Sequence, residues 1–324
     1  MDGASPGGES FAVDQPGAPG VRLHVRVRRP SQGRPRGVAL FVHGATIASG
    51  LFDIARPGAS WLAEHAMRGH AAYALDLRGY GRSRGLGAMD MPAAANKPQV
   101  RADDAVADIA AVADEICKRE GVVRLDIVGG SWGSITAAMF AIAHAERVAK
   151  LVLSAPIYAR ENRPWLDLIG DPRFVPAWRL CDVAATRARW DGEIESAGGH
   201  PFAWRDPEVF DALMADALAA DPTSGTRDPP SFRVPNGTFL DLHEAFSGRP
   251  LYDPARIACP TLLVRGAADL TATAADARAL LARLGSPAKT LVEIDGGAHF
   301  LCAERRAPAL FGAVAQFLDG SGAM

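Results

Sequence analysis

The sequence lacks several features that mark particular classes of protein. Its 35 Lys and Arg nearly balance its 37 Asp and Glu, so the formal net charge is −2. It therefore lacks the basic excess that a nucleic-acid-binding protein uses to hold phosphates. No apolar run approaches the roughly 18 residues of a membrane span, and the first ten residues have neither the basic start nor the apolar stretch of a signal peptide. We expect no nucleic-acid partner and no membrane segment.

Cysteine is also scarce. The four cysteines, at positions 117, 181, 259 and 302, lie far apart. None belongs to a CxxC pair or to a spacing typical of a metal site. The sequence therefore predicts a reduced, cytoplasmic protein.

What the chain does contain is an alternation of short apolar runs with helical stretches. The runs over 37–44, 71–79, 123–130, 148–156, 259–266 and 289–297 read as strands, and 21–29 has the alternating pattern of a half-buried strand. Helices are predicted over 103–118, 132–145, 272–284 and 304–318. Such βαβ units predict an α/β fold with a mainly parallel central sheet flanked by helices.

One long segment interrupts this alternation. We expect residues 21–156 and 254–319 to form the α/β core, residues 1–20 to be a flexible N-terminus, and residues 157–253 to be an inserted helical cap. This cap segment holds 12 of the 23 aromatic residues. It predicts a lid with an apolar underside, and the alternative is that the aromatics only form a core for the segment itself. Candidates for contact with a substrate are Trp165, Trp178, Trp190 and Trp204.

The stretch GGSWGS places Ser131 between a predicted strand and a predicted helix. A Gly-x-Ser-x-Gly sequence in that context is typical of a nucleophile elbow, where neighbours without side chains relieve crowding in a sharp turn. A serine hydroxyl becomes a good nucleophile only when an oriented base accepts its proton. His299 follows the last predicted strand and Asp269 follows the strand before it. Because the carboxyl ends of parallel strands share one sheet edge, these three residues are expected to meet there.

Other residues are assigned supporting roles. The backbone N–H groups of Ala45, after the strand ending in HG, and of Trp132 are predicted to form an oxyanion hole. His43 is expected to brace that loop, and the DLRGYGRS turn at 76–83 is expected to be structural. Glu161 is the nearest alternative to Asp269 as the carboxylate that orients His299.

Together, HGAT, LDLRGYGRS, GGSWGS, RGAAD and GGAHF resemble the α/β-hydrolase fold family in order and spacing. The resemblance covers nearly all of the chain from about residue 20. Haloalkane dehalogenases and epoxide hydrolases are similar too, but they use an aspartate nucleophile where this chain has Ser131. GGSWGS resembles the nucleophile segment of proline iminopeptidases, whereas HGATIA departs from the HGGPG pattern of that branch.

The resemblance and the residues together predict a serine-dependent hydrolase. Its substrate is expected to be a small molecule, namely an ester, a lactone or a related acyl compound, cleaved through an acyl-enzyme without a metal or organic cofactor. The alternatives are an iminopeptidase-like aminopeptidase, an acyltransferase, and a ligand-binding protein without useful turnover.

Overall fold

The computed structural model describes residues 8–320. The strands are β1 (Gly8–Asp14), β2 (Arg22–Arg28), β3 (Val38–Val42), β4 (Ala71–Asp76), β5 (Leu125–Gly130), β6 (Val148–Ser154), β7 (Trp178–Asp182), β8 (Ser231–Pro235), β9 (Thr261–Gly266) and β10 (Lys289–Ile294). The α-helices are α1 (Trp61–Met67), α2 (Ala102–Glu120), α3 (Trp132–Ala143), α4 (Arg163–Ile169), α5 (Val183–Ser196), α6 (Pro201–Trp204), α7 (Pro207–Ala220), α8 (Gly237–Phe246), α9 (Ala274–Arg283) and α10 (Ala307–Asp319). None of these helices is long and apolar enough to cross a membrane.

Eight strands form one sheet in the order β1-β2-β4-β3-β5-β6-β9-β10. β2 pairs antiparallel with both of its neighbours, and the remaining pairs are parallel. The carboxyl ends of β3, β5, β6, β9 and β10 therefore lie at one edge of the sheet. This edge carries the residues that sequence analysis singled out.

Helices cover both faces of the sheet, which explains why the central strands are apolar on both sides. In β3, Leu40 packs into the core beneath α2 and α3, while Phe41 points into the core on the other face, beneath α1 and α10. On that second face Trp61 stacks on Phe311 with their ring centroids 5.1 Å apart. The predicted mainly parallel sheet flanked by helices is confirmed.

The helix predicted over 103–118 shows how far local pattern determines an element. Its buried face includes Ile109, Val112, Ala113 and Ile116, as predicted, whereas Val106 is only half-buried. Asp104 accepts a hydrogen bond from the backbone N–H of residue 101 in the first turn. The helix ends where Gly121 adopts a left-handed conformation, which favours glycine.

Three expectations need correction. Residues 8–14, placed in the flexible N-terminus, form the edge strand β1, while residues 1–7 lie outside the described part. The cap segment is not purely helical, since β7 and β8 pair antiparallel within it. Helix α1 was not predicted at all. These elements are short, and each strand among them is defined by pairing with a partner strand.

The cap segment contributes α4–α8 and lies between β6 and β9, which are neighbours in the sheet. Its expected boundaries at 157 and 253 stay a prediction. All four cysteines are free, and the cytoplasmic location also stays a prediction.

Candidate active site

Ser131 occupies a strained turn between β5 and α3. Its backbone angles are φ 56° and ψ −125°, which few residues other than glycine adopt. Two hydrogen bonds hold the turn: the Ser131 N–H donates to the carbonyl oxygen of Ser154 at 2.9 Å, and the Ser134 N–H donates to that of Ser131 at 2.8 Å. The turn therefore presents the Ser131 side chain at the carboxyl edge of the sheet.

The glycines on either side of Ser131 are required by close approach of the backbone. A Cβ atom on Gly129 would lie 2.2 Å from the carbonyl oxygen of Gly133. A Cβ atom on Gly133 would lie 2.4 Å from the carbonyl oxygens of both Val42 and His43. The sequence pattern of the turn is thus a packing requirement as well as a conformational one.

The loops after β9 and β10 bring Asp269 and His299 to Ser131. His299 Nε2 lies 2.9 Å from Ser131 Oγ, and His299 Nδ1 lies 2.9 and 3.0 Å from the two carboxylate oxygens of Asp269. An ionised carboxylate can only accept, so Nδ1 carries the proton and Nε2 is free to accept from the serine hydroxyl. Glu161, the alternative carboxylate, is exposed and makes no hydrogen bond to His299.

Asp269 is fully shielded, since its side chain has 0% exposure. Its Oδ1 also accepts hydrogen bonds from the backbone N–H groups of Thr271 and Ala272, at 2.9 and 2.7 Å. The carboxylate is therefore held in one orientation by its own loop. That orientation in turn fixes the ring of His299.

Opposing effects act on the pKa of His299. Burial alone would lower it, but the charge and hydrogen bond of Asp269, together with the nearby charge of Glu193, outweigh burial and raise the pKa above 6.5. The His299 loop itself is held by Glu304, which accepts from the Ala298 N–H and from the Trp190 indole, both at 2.8 Å.

His43 orients the peptide between Gly44 and Ala45. The Leu77 N–H donates to His43 Nε2 at 3.2 Å, so Nδ1 carries the proton and donates to the Gly44 carbonyl oxygen at 2.7 Å. Burial lowers the pKa of His43, consistent with this neutral form. In a trans peptide the N–H points opposite to the carbonyl. His43 therefore turns the Ala45 N–H away from itself.

The next carbonyl along, that of Ala45, is also held. It accepts from the Tyr80 hydroxyl at 3.0 Å and from Arg179 of the cap segment at 2.8 Å. The Trp132 N–H opens helix α3 and so has no partner within the helix. Across residues 8–320, neither the Ala45 nor the Trp132 N–H donates a hydrogen bond. Neither N–H is therefore committed to another described group, and their role as an oxyanion hole stays a prediction.

The DLRGYGRS turn makes its contacts with other protein groups. Asp76 accepts from the backbone N–H groups of Ser49 and Arg82, at 2.9 and 2.8 Å. Arg78 forms a buried ion pair with Asp108 at 2.6 Å. Neither Asp76 nor Arg78 lines the cavity at Ser131.

Ser131 and His299 open onto a cavity of about 670 Å³, counting its mouth. Its walls are mostly apolar, with Ile47 and Leu51 from the core and Trp165 and Leu242 from the cap segment. Cys302 also lines it, but burial raises the pKa of that thiol to about 12, so it is no thiolate nucleophile.

Of the four candidate tryptophans, only Trp165 lines this cavity among the described residues. Trp190 is fully buried beneath it and packs on Phe300 at a centroid distance of 4.7 Å. Trp178 donates to the Met91 carbonyl oxygen at 2.9 Å, away from the site, and Trp204 is half-buried at the end of α6. The other three tryptophans therefore contact other parts of the protein and do not line the cavity.

Sequence reasoning missed two residues of the cap segment. Arg189 lines the cavity, and Glu193, one turn further along α5, accepts from the Leu270 N–H at 2.8 Å. An Arg and a Glu four residues apart on a helix are typical of a surface ion pair, so nothing in the sequence pointed to the site. Within residues 8–320 no group of three or more His, Cys, Asp and Glu side chains is placed to hold a metal ion.

Comparisons with solved structures agree with this architecture. E-2-(acetamidomethylene)succinate hydrolase matches with a TM-score of 0.65 and 19% identity over 97% of this chain and 100% of that one. An enol-lactonase from Burkholderia xenovorans LB400 matches at 0.61 and 18% over 94% and 98%. A thermophilic esterase from Thermogutta terrifontis matches at 0.60 and 18% over 96% and 98%. No curated protein sequence matches this chain.

The sheet order, the turn at Ser131 and these matches define an α/β-hydrolase fold, which confirms the predicted fold class. More narrowly, the family model described as "Serine aminopeptidase, S33" matches residues 33–306. The chain belongs to that family of hydrolases.

Replacing Gly133 by Ala tests the packing constraint at the turn. The added Cβ would meet two backbone oxygens that cannot move aside, so we expect a loss of about 3 kcal/mol or more in the free energy of unfolding. Urea denaturation measures it. Gly312→Ala is the matched control, because Gly312 lies in α10 with open space around it; it should raise stability by up to about 1 kcal/mol. Equal stability of Gly133→Ala and the wild type would contradict the packing argument.

Proposed function

We propose that the protein hydrolyses carboxylic esters, lactones or related acyl compounds with Ser131 as nucleophile. The observation that carries the proposal is the hydrogen-bonded chain Ser131–His299–Asp269 opening onto an apolar cavity. Serine, base and orienting carboxylate in this geometry are the arrangement that acyl transfer requires.

In the first half of the reaction, Ser131 Oγ attacks the substrate carbonyl carbon while His299 Nε2 accepts the hydroxyl proton. The carbonyl oxygen becomes an oxyanion, and the N–H groups of Ala45 and Trp132 stabilise it. Asp269 holds the ring and stabilises its protonated form. Donors of this kind contribute about 10²–10³ in rate.

The oxyanion then re-forms the carbonyl, the bond to the leaving oxygen breaks, and His299 gives its proton to the departing alkoxide. The acyl group remains on Ser131, which completes the first half. In the second half, water attacks this acyl-enzyme, with His299 accepting a proton from the water and returning it to Ser131. The acid product leaves. These steps draw on side-chain and backbone groups of this chain alone, so we propose no metal or organic cofactor.

The main alternative is aminopeptidase activity, which the family description and the acidic cap segment favour. That segment holds 16 Asp and Glu against 10 Arg. An aminopeptidase needs carboxylates that converge on the substrate amine. Among the described residues no Asp or Glu side chain lines the cavity, and Asp216 of the cap segment instead pairs with Arg26 and Arg82.

The charge inside the cavity also supports ester-type hydrolysis over aminopeptidase activity. Arg189 is the cationic side chain on its wall, and a guanidinium repels a protonated amine. The names of two matched structures, an esterase and an enol-lactonase, also agree with an oxygen ester as substrate. We therefore propose ester-type hydrolysis ahead of aminopeptidase activity.

A fluorophosphonate probe tests the nucleophile. It should label one residue, Ser131, because His299 can activate that hydroxyl, and peptide mapping by mass spectrometry identifies the adduct. Ser154 also lines the cavity, so the Ser154→Ala variant is the control. The probe should label the Ser154→Ala variant and should not label the Ser131→Ala variant. Absence of an adduct, or an adduct elsewhere, would favour a ligand-binding protein.

The pH dependence tests the base. Only neutral His299 can accept the serine proton, and its pKa is raised, so kcat/KM for 4-nitrophenyl acetate should fall on the acid side with an apparent pKa above 6.5. Asp269→Asn removes the charge that raises this pKa. The acid limb should then move to lower pH, and kcat should fall by about 10⁴ because the amide favours the wrong tautomer.

Asp295→Asn is the matched control for that variant, since Asp295 is exposed on the same loop as His299. This variant should leave both the acid limb of the pH profile and the value of kcat as in the wild type. If Asp269→Asn lowered the rate only a few-fold and left the limb in place, another group would orient His299.

Substrate preference separates the two activities. A short 4-nitrophenyl ester should be cleaved with a far larger kcat/KM than prolyl 4-nitroanilide, since the cavity offers the amine no carboxylate. Both rates are followed by release of the chromophore. Anilide turnover equal to or above ester turnover, and abolished by Ser131→Ala, would reverse the order of the two proposals.

A further inference from the structure

Arg189 differs from the other groups around the cavity because its charge has no partner. The side chain projects from α5 onto the wall that also carries Ser131 and His299. No hydrogen bond and no ion pair within 4.0 Å joins it to any residue in the range 8–320. Nearby arginines of the cap segment are paired: Arg187 with Asp211 at 2.9 Å, and Arg205 with Asp191 at 2.6 Å.

Arg189 is an exposed residue that faces the cavity. Protein atoms around the guanidinium desolvate it in part, which lowers its pKa. A guanidinium remains protonated in proteins nonetheless. The N–H donors of Arg189 are open to solvent in the free protein and can bind an anion that enters the cavity.

Aromatic rings hold the guanidinium in position. Its central carbon lies 5.0 Å from the centroid of the Trp165 ring and 5.6 Å from that of Phe300. Trp165 is itself fixed by a hydrogen bond from its indole N–H to Thr271 at 3.0 Å and by stacking on Phe246 at 5.5 Å. Ring contacts of this kind satisfy the faces of the guanidinium but none of its N–H donors.

The charged groups nearest Arg189 are already engaged. Glu193 attracts it, but that carboxylate accepts the Leu270 N–H and lies beyond 4.0 Å from the guanidinium. Asp269 is bonded to His299, and Arg179 repels Arg189 while donating to Ala45. The fixed charges of the site therefore leave the donors of Arg189 unused.

We propose that Arg189 binds a carboxylate of the substrate, so that the substrate class is acyl compounds that carry a free carboxylate besides the ester or lactone being cleaved. This rests on the proposed function, because it assigns the substrate of that same site. The planar fork of a guanidinium matches a carboxylate with two parallel hydrogen bonds. An apolar cavity with one fixed cation then selects a short chain with an anionic end over its neutral counterpart.

The experiment compares two esters with the same leaving group. Mono-(4-nitrophenyl) glutarate carries the free carboxylate, and methyl 4-nitrophenyl glutarate is its neutral match. We expect the wild type to prefer the carboxylate ester by about 10- to 100-fold in kcat/KM, which is the scale of a hydrogen bond to a charged group. Arg189→Met should bring this ratio of kcat/KM values close to one.

Two further variants sharpen the comparison. Arg189→Lys keeps the charge without the fork and should retain part of the preference. Arg187→Met removes a paired arginine two residues away on α5 and should keep the wild-type ratio. Arg189 also lowers the pKa of His299, so its removal changes the base, but that change acts on both esters and cancels in the ratio.

A ratio near one in the wild type, or the same ratio in wild type and Arg189→Met, would overturn the proposal. Those outcomes would leave Ser131-dependent hydrolysis intact. If neither ester were cleaved through Ser131, the proposed function would fail instead. Binding of glutarate by titration calorimetry then decides the role of Arg189: weaker binding to Arg189→Met supports it, and equal or absent binding to both proteins overturns it.

Discussion

The backbone around Ser131 is packed so closely that the turn accepts no side chain at the positions two residues before and two residues after the serine. Gly133 touches the carbonyl oxygens at the end of β3, and Gly129 touches the first turn of α3. This contact joins the end of β3, which leads into the Gly44–Ala45 peptide, to the helix that begins at Trp132. The contact between Gly133 and the end of β3 therefore positions Ser131 and both N–H donors relative to one another. The geometry proposed for catalysis depends on that contact.

Much of the core could be predicted because its signals are local. Apolar runs bounded by glycine mark strands buried on both faces, and amphipathic periodicity marks α2. Strand β1 escaped detection because it is an exposed edge strand in a Gly- and Pro-containing segment. Its structure comes from pairing with β2, as that of β7 comes from pairing with β8. Elements whose stability depends on a partner strand leave little local pattern.

The same division applies to the site. Ser131, Asp269 and His299 each follow a strand, so sheet topology alone was enough to bring them together in the prediction. The cap segment offered only its composition. Which aromatic faces the cavity depends on how α4 and α5 pack over the core, and an unpaired arginine looks like any other in the sequence. Arg189 became visible only through the absence of a bonding partner in the described structure.

The insertion point of the cap segment has a consequence for chain entropy. β6 and β9 are neighbours in the sheet, with Leu151 opposite Thr261, so residues 155–260 form a single closed loop in topological terms. The entropy of closing a loop grows only with the logarithm of its length, and each doubling adds about 0.6 kcal/mol. A segment of almost any size can therefore be exchanged between these two strands while the sheet keeps its register. The cap segment, which forms part of the cavity wall, can therefore be replaced with little change in the free energy of folding of the sheet that carries Ser131, Asp269 and His299.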